Sequence, residues 1–193
     1  MERTFTPFAS IARLNKEITV NEKLDGTNAA IVITDEGDIY AQSRNKIITP
    51  NDDNAGFANW VEKNKEELKV QLGPGIHFGE WWGQGIGRKY GLKEKRFSLF
   101  NTKRWTSDPE NDYRCVEAPL CHVVPTLATV EKFCTQTIQE VMEKLKENGS
   151  YAAPGFSQPE GVVVYHAASN SLFKVTFEYD DIGKTLGKLN QKG

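Results

Sequence analysis

A chain of 193 residues, 38% apolar and 10% aromatic, can build one sizeable hydrophobic core, which excludes wholesale disorder. With 24 Lys and Arg against 26 Asp and Glu the formal charge is −2, so overall basicity does not mark a polyanion as partner, although net charge leaves a local basic face open. No apolar run approaches the roughly 20 residues of a membrane-spanning helix and the stretch from Met1 to Ser10 has no signal-peptide core, so a soluble, cytoplasmic protein is expected.

In chain order, Ile18 to Leu24 alternates apolar and polar residues as a strand does, and Asn28 to Thr34 and Ile39 to Ser43 form a hairpin about the turn Asp35-Glu36-Gly37-Asp38. Asp52 to Leu72 reads as a helix, with Phe57, Trp60, Val61, Leu68 and Leu72 on one side and Gly73-Pro74-Gly75 as its stop. Ile76 to Trp82 and Phe97 to Thr102 are predicted strands separated by a Gly-rich, basic loop. A second amphipathic helix is predicted from Thr129 to Glu147, with Val130, Phe133, Ile138, Val141, Met142 and Leu145 as its buried stripe. Gly161 to His166 and Leu172 to Phe177 are the last two strands. Many strands and two helices, in no regular βαβ alternation and with no dividing linker, predict one α+β domain over residues 1–193 with a largely antiparallel sheet.

Cys115, Cys121 and Cys134 form no C-x-x-C pair and are expected as reduced thiols, and His77, His122 and His166 have no metal-ligand spacing. Chemistry concentrates instead in short segments that set an ionisable side chain beside a glycine or an aromatic. Glu22-Lys23-Leu24-Asp25-Gly26-Thr27-Asn28 puts a lysine at a strand end before a tight turn, where a phosphate can approach the backbone. Lysine is a nucleophile only after losing its proton, which burial or a neighbouring cation promotes. In Phe78-Gly79-Glu80-Trp81 and Pro159-Glu160-Gly161-Val162-Val163 a glutamate interrupts an apolar strand; a buried carboxylate is costly unless it is paired or binds a metal such as Mg²⁺. Ser43-Arg44-Asn45, Phe97-Ser98-Leu99-Phe100-Asn101 and Phe173-Lys174-Val175 complete the set. Singly each is ordinary: Asp-Gly is a common turn, a strand glutamate is often solvated, and a strand aromatic is often core.

Their order is specific. It resembles motifs I, Ia, III, IIIa, IV and V of the covalent nucleotidyltransferase superfamily of ATP-dependent polynucleotide ligases and mRNA capping enzymes, spanning Lys23 to Thr176. Within it, Lys-x-Asp-Gly-Thr-Asn closing at Asn28, and a Trp after Glu80, are similar to the RNA ligase 2-like branch of the RNA ligases. The resemblance implies a nucleotidyltransferase domain with flanking helices that takes ATP and Mg²⁺ or Mn²⁺ and joins RNA ends, a 5′-phosphate to a 3′-hydroxyl. Lys23 would form lysyl-AMP, with Lys174 offsetting charge on the phosphate, Glu80 binding the ribose, Phe100 stacking on adenine and Glu22 beside the base. Glu160 would hold the metal, Arg44 a phosphate, and Asp25 and Asn28 would serve the later steps.

Two departures qualify the match. Motif V usually reads Lys-x-Lys, whereas here it is Lys174-Val175-Thr176, leaving Lys174 alone or helped by a lysine such as Lys184. About 17 residues follow that motif, so no C-terminal OB or helical module is expected. The grip on nucleic acid is then assigned to the basic stretch Arg88, Lys89, Lys93, Lys95 and Arg96, with Lys103-Arg104 beyond it. A DNA ligase, a capping guanylyltransferase and a binding domain without turnover are the competing readings.

Overall fold

The computed structural model describes residues 4–105 and 120–178. Ten strands and three helices follow in the order β1 (Ile18–Lys23), β2 (Thr27–Ile33), β3 (Ile39–Ser43), β4 (Ile47–Ile48), α1 (Phe57–Lys63), α2 (Lys65–Leu72), β5 (Gly75–Gly83), β6 (Lys95–Leu99), β7 (Cys121–Val123), β8 (Thr126–Val130), α3 (Thr135–Asn148), β9 (Gly161–His166) and β10 (Ser171–Thr176). They form two sheets, β10-β9-β1-β8 and β4-β3-β2-β5-β6-β7, in which every pairing is antiparallel except β6 with β7. This is the α+β, largely antiparallel architecture that the strand pattern predicts.

Each sheet buries one face under helix. Ala29, Ile31 and Ile33 of β2 alternate into a core with Trp81, Phe97 and Leu99, closed by Phe57, Val61, Leu68 and Leu72 of α1 and α2. Its aromatics pack with Phe57 5.0 Å from Phe97 and 5.3 Å from Trp81 between ring centroids. In the smaller sheet Ile18 and Val20 of β1 and Val162 and Val164 of β9 face Val141 and Leu145 of α3. A third cluster, Leu24, Trp82, Tyr90, Val124 and Ala153, links the two sheets.

The chain changes sheets at two places. Lys23 ends β1 in the four-stranded sheet and Thr27 begins β2 in the six-stranded one, so Leu24-Asp25-Gly26 is the link. Val124-Pro125 links β7 back to β8, and the Pro125 carbonyl accepts the Glu22 N–H at 2.9 Å. The turn that the sequence marks as reactive is therefore the joint of the fold.

Three expectations are corrected. The helix predicted over 52–72 begins at Phe57 and breaks at Asn64, whose side-chain amide donates to the Trp60 carbonyl at 2.7 Å and ends the first segment. The helix predicted from Thr129 begins at Thr135, because Thr126–Val130 pairs with β1 as an edge strand; Val130 still packs on the α3 cluster, but from β8. The strand predicted to Thr102 ends at Leu99. The short strands β4, β7 and β8 carry too little periodic text to be read in advance.

Candidate active site

Strand alternation aims the smaller sheet's chemistry at one face. Opposite the α3 side, the register stacks Asn21–Val163–Lys174 and then Lys23–Gly161–Thr176, with Leu172 one row further back. On the larger sheet the same logic places Asn28 opposite Glu80, with Phe100 beyond, because its N–H bonds the Phe78 carbonyl. These side chains share one cavity of about 640 Å³, to which Asp25, Arg44, Arg88, Glu160 and Glu178 also contribute.

Lys23 donates from Nζ to Glu160 Oε2 at 2.7 Å across the sheet, and its side chain is about a quarter exposed. Glu80 is buried; Oε1 accepts the Gly26 N–H at 3.1 Å and Oε2 the Asn28 amide at 3.3 Å. Burial pushes its carboxyl up to about 7, against the pull of the Lys23 charge and the Gly26 N–H and with the push of Glu160 and Asp25. Gly26 has no substitute here, since a Cβ would collide with the Trp81 carbonyl and lie 2.8 Å from Trp82 Cβ. Arg44 donates from Nε to Asn28 Oδ1 at 3.0 Å, which fixes the amide so that its nitrogen faces Glu80. Lys174 is exposed on β10, and Phe100 is 38% exposed at the cavity wall.

Glu22 differs from the rest. Its carboxylate accepts from Ser150 Oγ at 2.6 Å and from the backbone N–H groups of Tyr151 and Ala152, both at 2.9 Å. Burial raises its carboxyl while those three donors draw it down. It lines the cavity as part of β1, but its carboxylate is committed to tying the end of α3 to the central strand.

The basic stretch does not stay together. Arg88 turns into the cavity, whereas Lys89 and Lys93 are exposed outside it. Lys95 Nζ donates to the Ala55 carbonyl at 2.7 Å, and Arg96 pairs with Glu94 at 2.6 Å. Arg104 leaves the site altogether, donating to the Leu72 carbonyl at 3.2 Å and stacking over Trp105. Tyr90 is a residue the sequence reading missed: it is buried, its hydroxyl accepts the Asp25 N–H at 2.7 Å, and burial raises its phenol. Only a lone Tyr-Gly pair in a basic loop hints at it. Glu178 and Leu172 were missed too, as nothing in the local text separates them from ordinary strand-end residues.

Among the described residues no three His, Cys, Asp or Glu side chains form a ready metal cage. Magnesium and manganese do not require one, since one or two carboxylates plus substrate phosphates suffice. The oxygen donors of Glu160, with Asp25 and Glu80 in the same cavity, fit such an ion. His77 bonds the Gly73 carbonyl and His166 bonds Ser169 and the Leu14 carbonyl, which are structural ties. Cys121 is buried and Cys134 exposed; Cys115 and Lys184 lie outside the described residues.

Comparison with known proteins bears on this arrangement. No curated protein matches the chain. Solved structures do: a variant of the Naegleria gruberi RNA ligase with AMP and Mn has a TM-score of 0.59 at 19% identity, covering 93% of this chain and 53% of that one. The same ligase with pyrophosphate gives 0.55 at 19%, covering 92% and 52%. An archaeal ATP-dependent RNA ligase gives 0.57 at 16%, covering 83% and 42%. At these identities the likeness establishes the fold, and the chain spans about half the length of the structures it matches. The family model named RNA ligase matches residues 16–177. That stretch takes in all six ordered segments and every cavity residue named above except Glu178, and on it the chain belongs to the RNA ligase family.

Proposed function

We propose that the protein is an ATP-dependent RNA ligase whose nucleotidyltransferase domain works through a covalent lysyl-AMP intermediate. The observation that carries this is the Lys23 amine held 2.7 Å from Glu160 in a cavity that also presents Glu80, Asn28, Arg44, Phe100 and Lys174. Lys23 Nζ attacks the α-phosphorus of ATP; a P–N bond forms and the P–O bond to pyrophosphate breaks. Glu160 is the carboxylate placed to take the proton that the ammonium must lose, and with Asp25 it would also hold a Mg²⁺ or Mn²⁺ ion. Such an ion, when bound, offsets negative charge on the phosphates.

Glu80 and Asn28 receive the ribose hydroxyls, Phe100 offers its ring to the base, and Arg44 and Lys174 face phosphate oxygens. The AMP then passes to an RNA 5′-phosphate, which breaks the P–N bond and returns the amine to Lys23. Attack by a 3′-hydroxyl expels AMP and closes the phosphodiester, with Asp25 and Asn28 nearest to the transferring groups. Of the basic stretch, the exposed Lys89 and Lys93 are the cations offered to the RNA backbone, since Lys95 is tied to the Ala55 carbonyl and Arg96 to Glu94. Family membership supports RNA as the polymer, and neighbours solved with AMP, ATP, Mn and pyrophosphate support the nucleotide and metal.

Incubation with α-labelled ATP and Mg²⁺ tests the reading. Acid-labile, alkali-stable label on the protein, with no label from GTP, is expected. Labelling by GTP would point to a capping-type enzyme, and no label at all to a binding domain without turnover. Sealing of nicked DNA but not RNA would make it a DNA ligase.

A further inference from the structure

The cavity presents four carboxylates, Asp25, Glu80, Glu160 and Glu178, and four cations, Lys23, Arg44, Arg88 and Lys174, while the Glu22 carboxylate is turned to Ser150. Lys23 is held by Glu160 and Arg44 by Asn28, and Lys174 stands one row back beside Val163. The last row of the smaller sheet ends on Thr176, which has a hydroxyl and no charge. Arg88 stands beyond that row. Its guanidinium lies 3.7 Å from Asp25, two residues past Lys23, and 3.3 Å from Glu178, two past Thr176, and donates to the carbonyl of Gln158, two before Glu160.

Two features suit Arg88 to a ligand rather than to bracing alone. Its Nε is buried and has no hydrogen-bond partner among the described residues, since 3.7 Å is too long for one, and a buried guanidinium N–H left unmatched is costly. The loop that carries it is also firmly seated. Gly87 has φ +51°, and a Cβ there would collide with the Asp25 backbone; Lys89 and Tyr90 also take left-handed φ values, and Tyr90 then bonds the Asp25 N–H. Arg88 thus sits on the side of Lys23 away from Val163 and Leu172, past the row that Lys23 shares with Gly161 and Thr176.

We propose that Arg88 binds the β- and γ-phosphates of ATP, supplying at the end of the sheet the charge that Thr176 does not. This rests on the adenylylation reading above. The planar guanidinium is suited to two phosphate oxygens, and Glu178 holds it until the nucleotide displaces that carboxylate. Lys184 is not needed for this role.

Calorimetric binding of ATP and of AMP to Lys23→Ala protein, which cannot turn over, tests it. Adding Arg88→Ala is expected to weaken ATP binding about tenfold or more while AMP changes little. Adding Thr176→Lys to that protein restores most of the loss, because the new ammonium enters from the adjoining row. Glu178→Ala alone, at an exposed position, is expected to tighten ATP a few-fold and leave AMP unchanged. Equal losses for ATP and AMP with no rescue by Thr176→Lys would reduce Arg88 to a brace and overturn the proposal. Unchanged ATP binding in Arg88→Ala would do so as well, leaving the adenylylation reading intact. Lys23→Ala protein that binds neither nucleotide would overturn both.

Discussion

On the four-stranded sheet the side chains that end the cavity face are Lys23, Lys174 and Thr176, past Asn21, Val163 and Leu172, with Lys23 ion-paired to Glu160 and Lys174 exposed. On the six-stranded sheet they are Glu80 and Asn28, and Glu80 is buried and held by two hydrogen bonds. The smaller sheet thus carries charge on long stems, suited to bond making, while the larger carries a buried, hydrogen-bonded polar pair, suited to orientation. Burial explains the difference: an aromatic core and two helices back the larger sheet up to Glu80, while β10 is an edge strand with Leu172, Phe173 and Lys174 in solvent. Substitutions on the first sheet should therefore reduce the rate of adenylylation, and on the second the affinity for the nucleotide.

The largest effect is expected from Lys23→Ala. Protein–AMP formation should fall by roughly 10³-fold or more, with ATP affinity near native, because only the nucleophile is lost. Retention of label on this variant would remove the assignment, and Lys23→Arg should fail equally since a guanidinium keeps its proton. Glu160→Ala comes next, with a loss of about 10²-fold at low Mg²⁺ that shrinks as Mg²⁺ rises, through mass action on a weakened ion site. A loss equal at every Mg²⁺ concentration would make Glu160 a partner of Lys23 only.

Glu80→Gln probes the other sheet. Its expected signature is an ATP KM raised about tenfold with kcat within a few-fold of native, the reverse of the Lys23 pattern. Glu80 also leaves a mark on stability. Its carboxyl sits at about 7 in the fold against 4.5 as the ordinary value, so the folded state binds the extra proton between those limits. The contribution is complete below about pH 4.5 and is lost as pH rises toward 7, on the order of 3 kcal/mol at most. Thermal melts between pH 5 and 8 should show native protein losing stability with rising pH and Glu80→Gln losing less; parallel curves would refute the buried carboxyl. Phe100→Ala should have the smallest effect, an ATP KM raised several-fold with adenylylation otherwise normal, as expected for about 1 kcal/mol of ring contact. If it lowered kcat instead, the division between the sheets would not hold at this position.

Several of these residues were legible because their local text was unusual and their order more so: a lysine before Asp-Gly, a glutamate inside an apolar strand, a second lysine beside a strand aromatic. Strand period then puts Lys23, Lys174 and Thr176 on one face without any further information. The same period puts Glu22 on the α3 side with Ile18 and Val20, where its carboxylate meets Ser150, a contact 128 residues away that no local pattern announces. Arg88 and Lys95 look alike in sequence, yet one enters the cavity and the other bonds the Ala55 carbonyl. The β8 strand was read as helix because Thr129 and Val130 adjoin a helical stripe, and its pairing with β1 decided otherwise.

By itself, then, the sequence determined what is local or periodic: the seven strands β1, β2, β3, β5, β6, β9 and β10, most of the apolar faces of the helices, the turn at Gly26 and the identity of the reactive side chains. Backbone propensity and side-chain alternation act over a few residues, and a single chain displays them directly. Only the tertiary structure decided which charges meet. Lys23 reaches Glu160 because β1 pairs with β9, Asn28 reaches Glu80 because β2 pairs with β5, and Arg88 reaches Asp25 and Glu178 because its loop folds back over the joint between the sheets. Those pairings depend on burial and hydrogen bonding between segments far apart in the chain, and an ion pair's worth and a carboxyl's proton affinity follow from that burial.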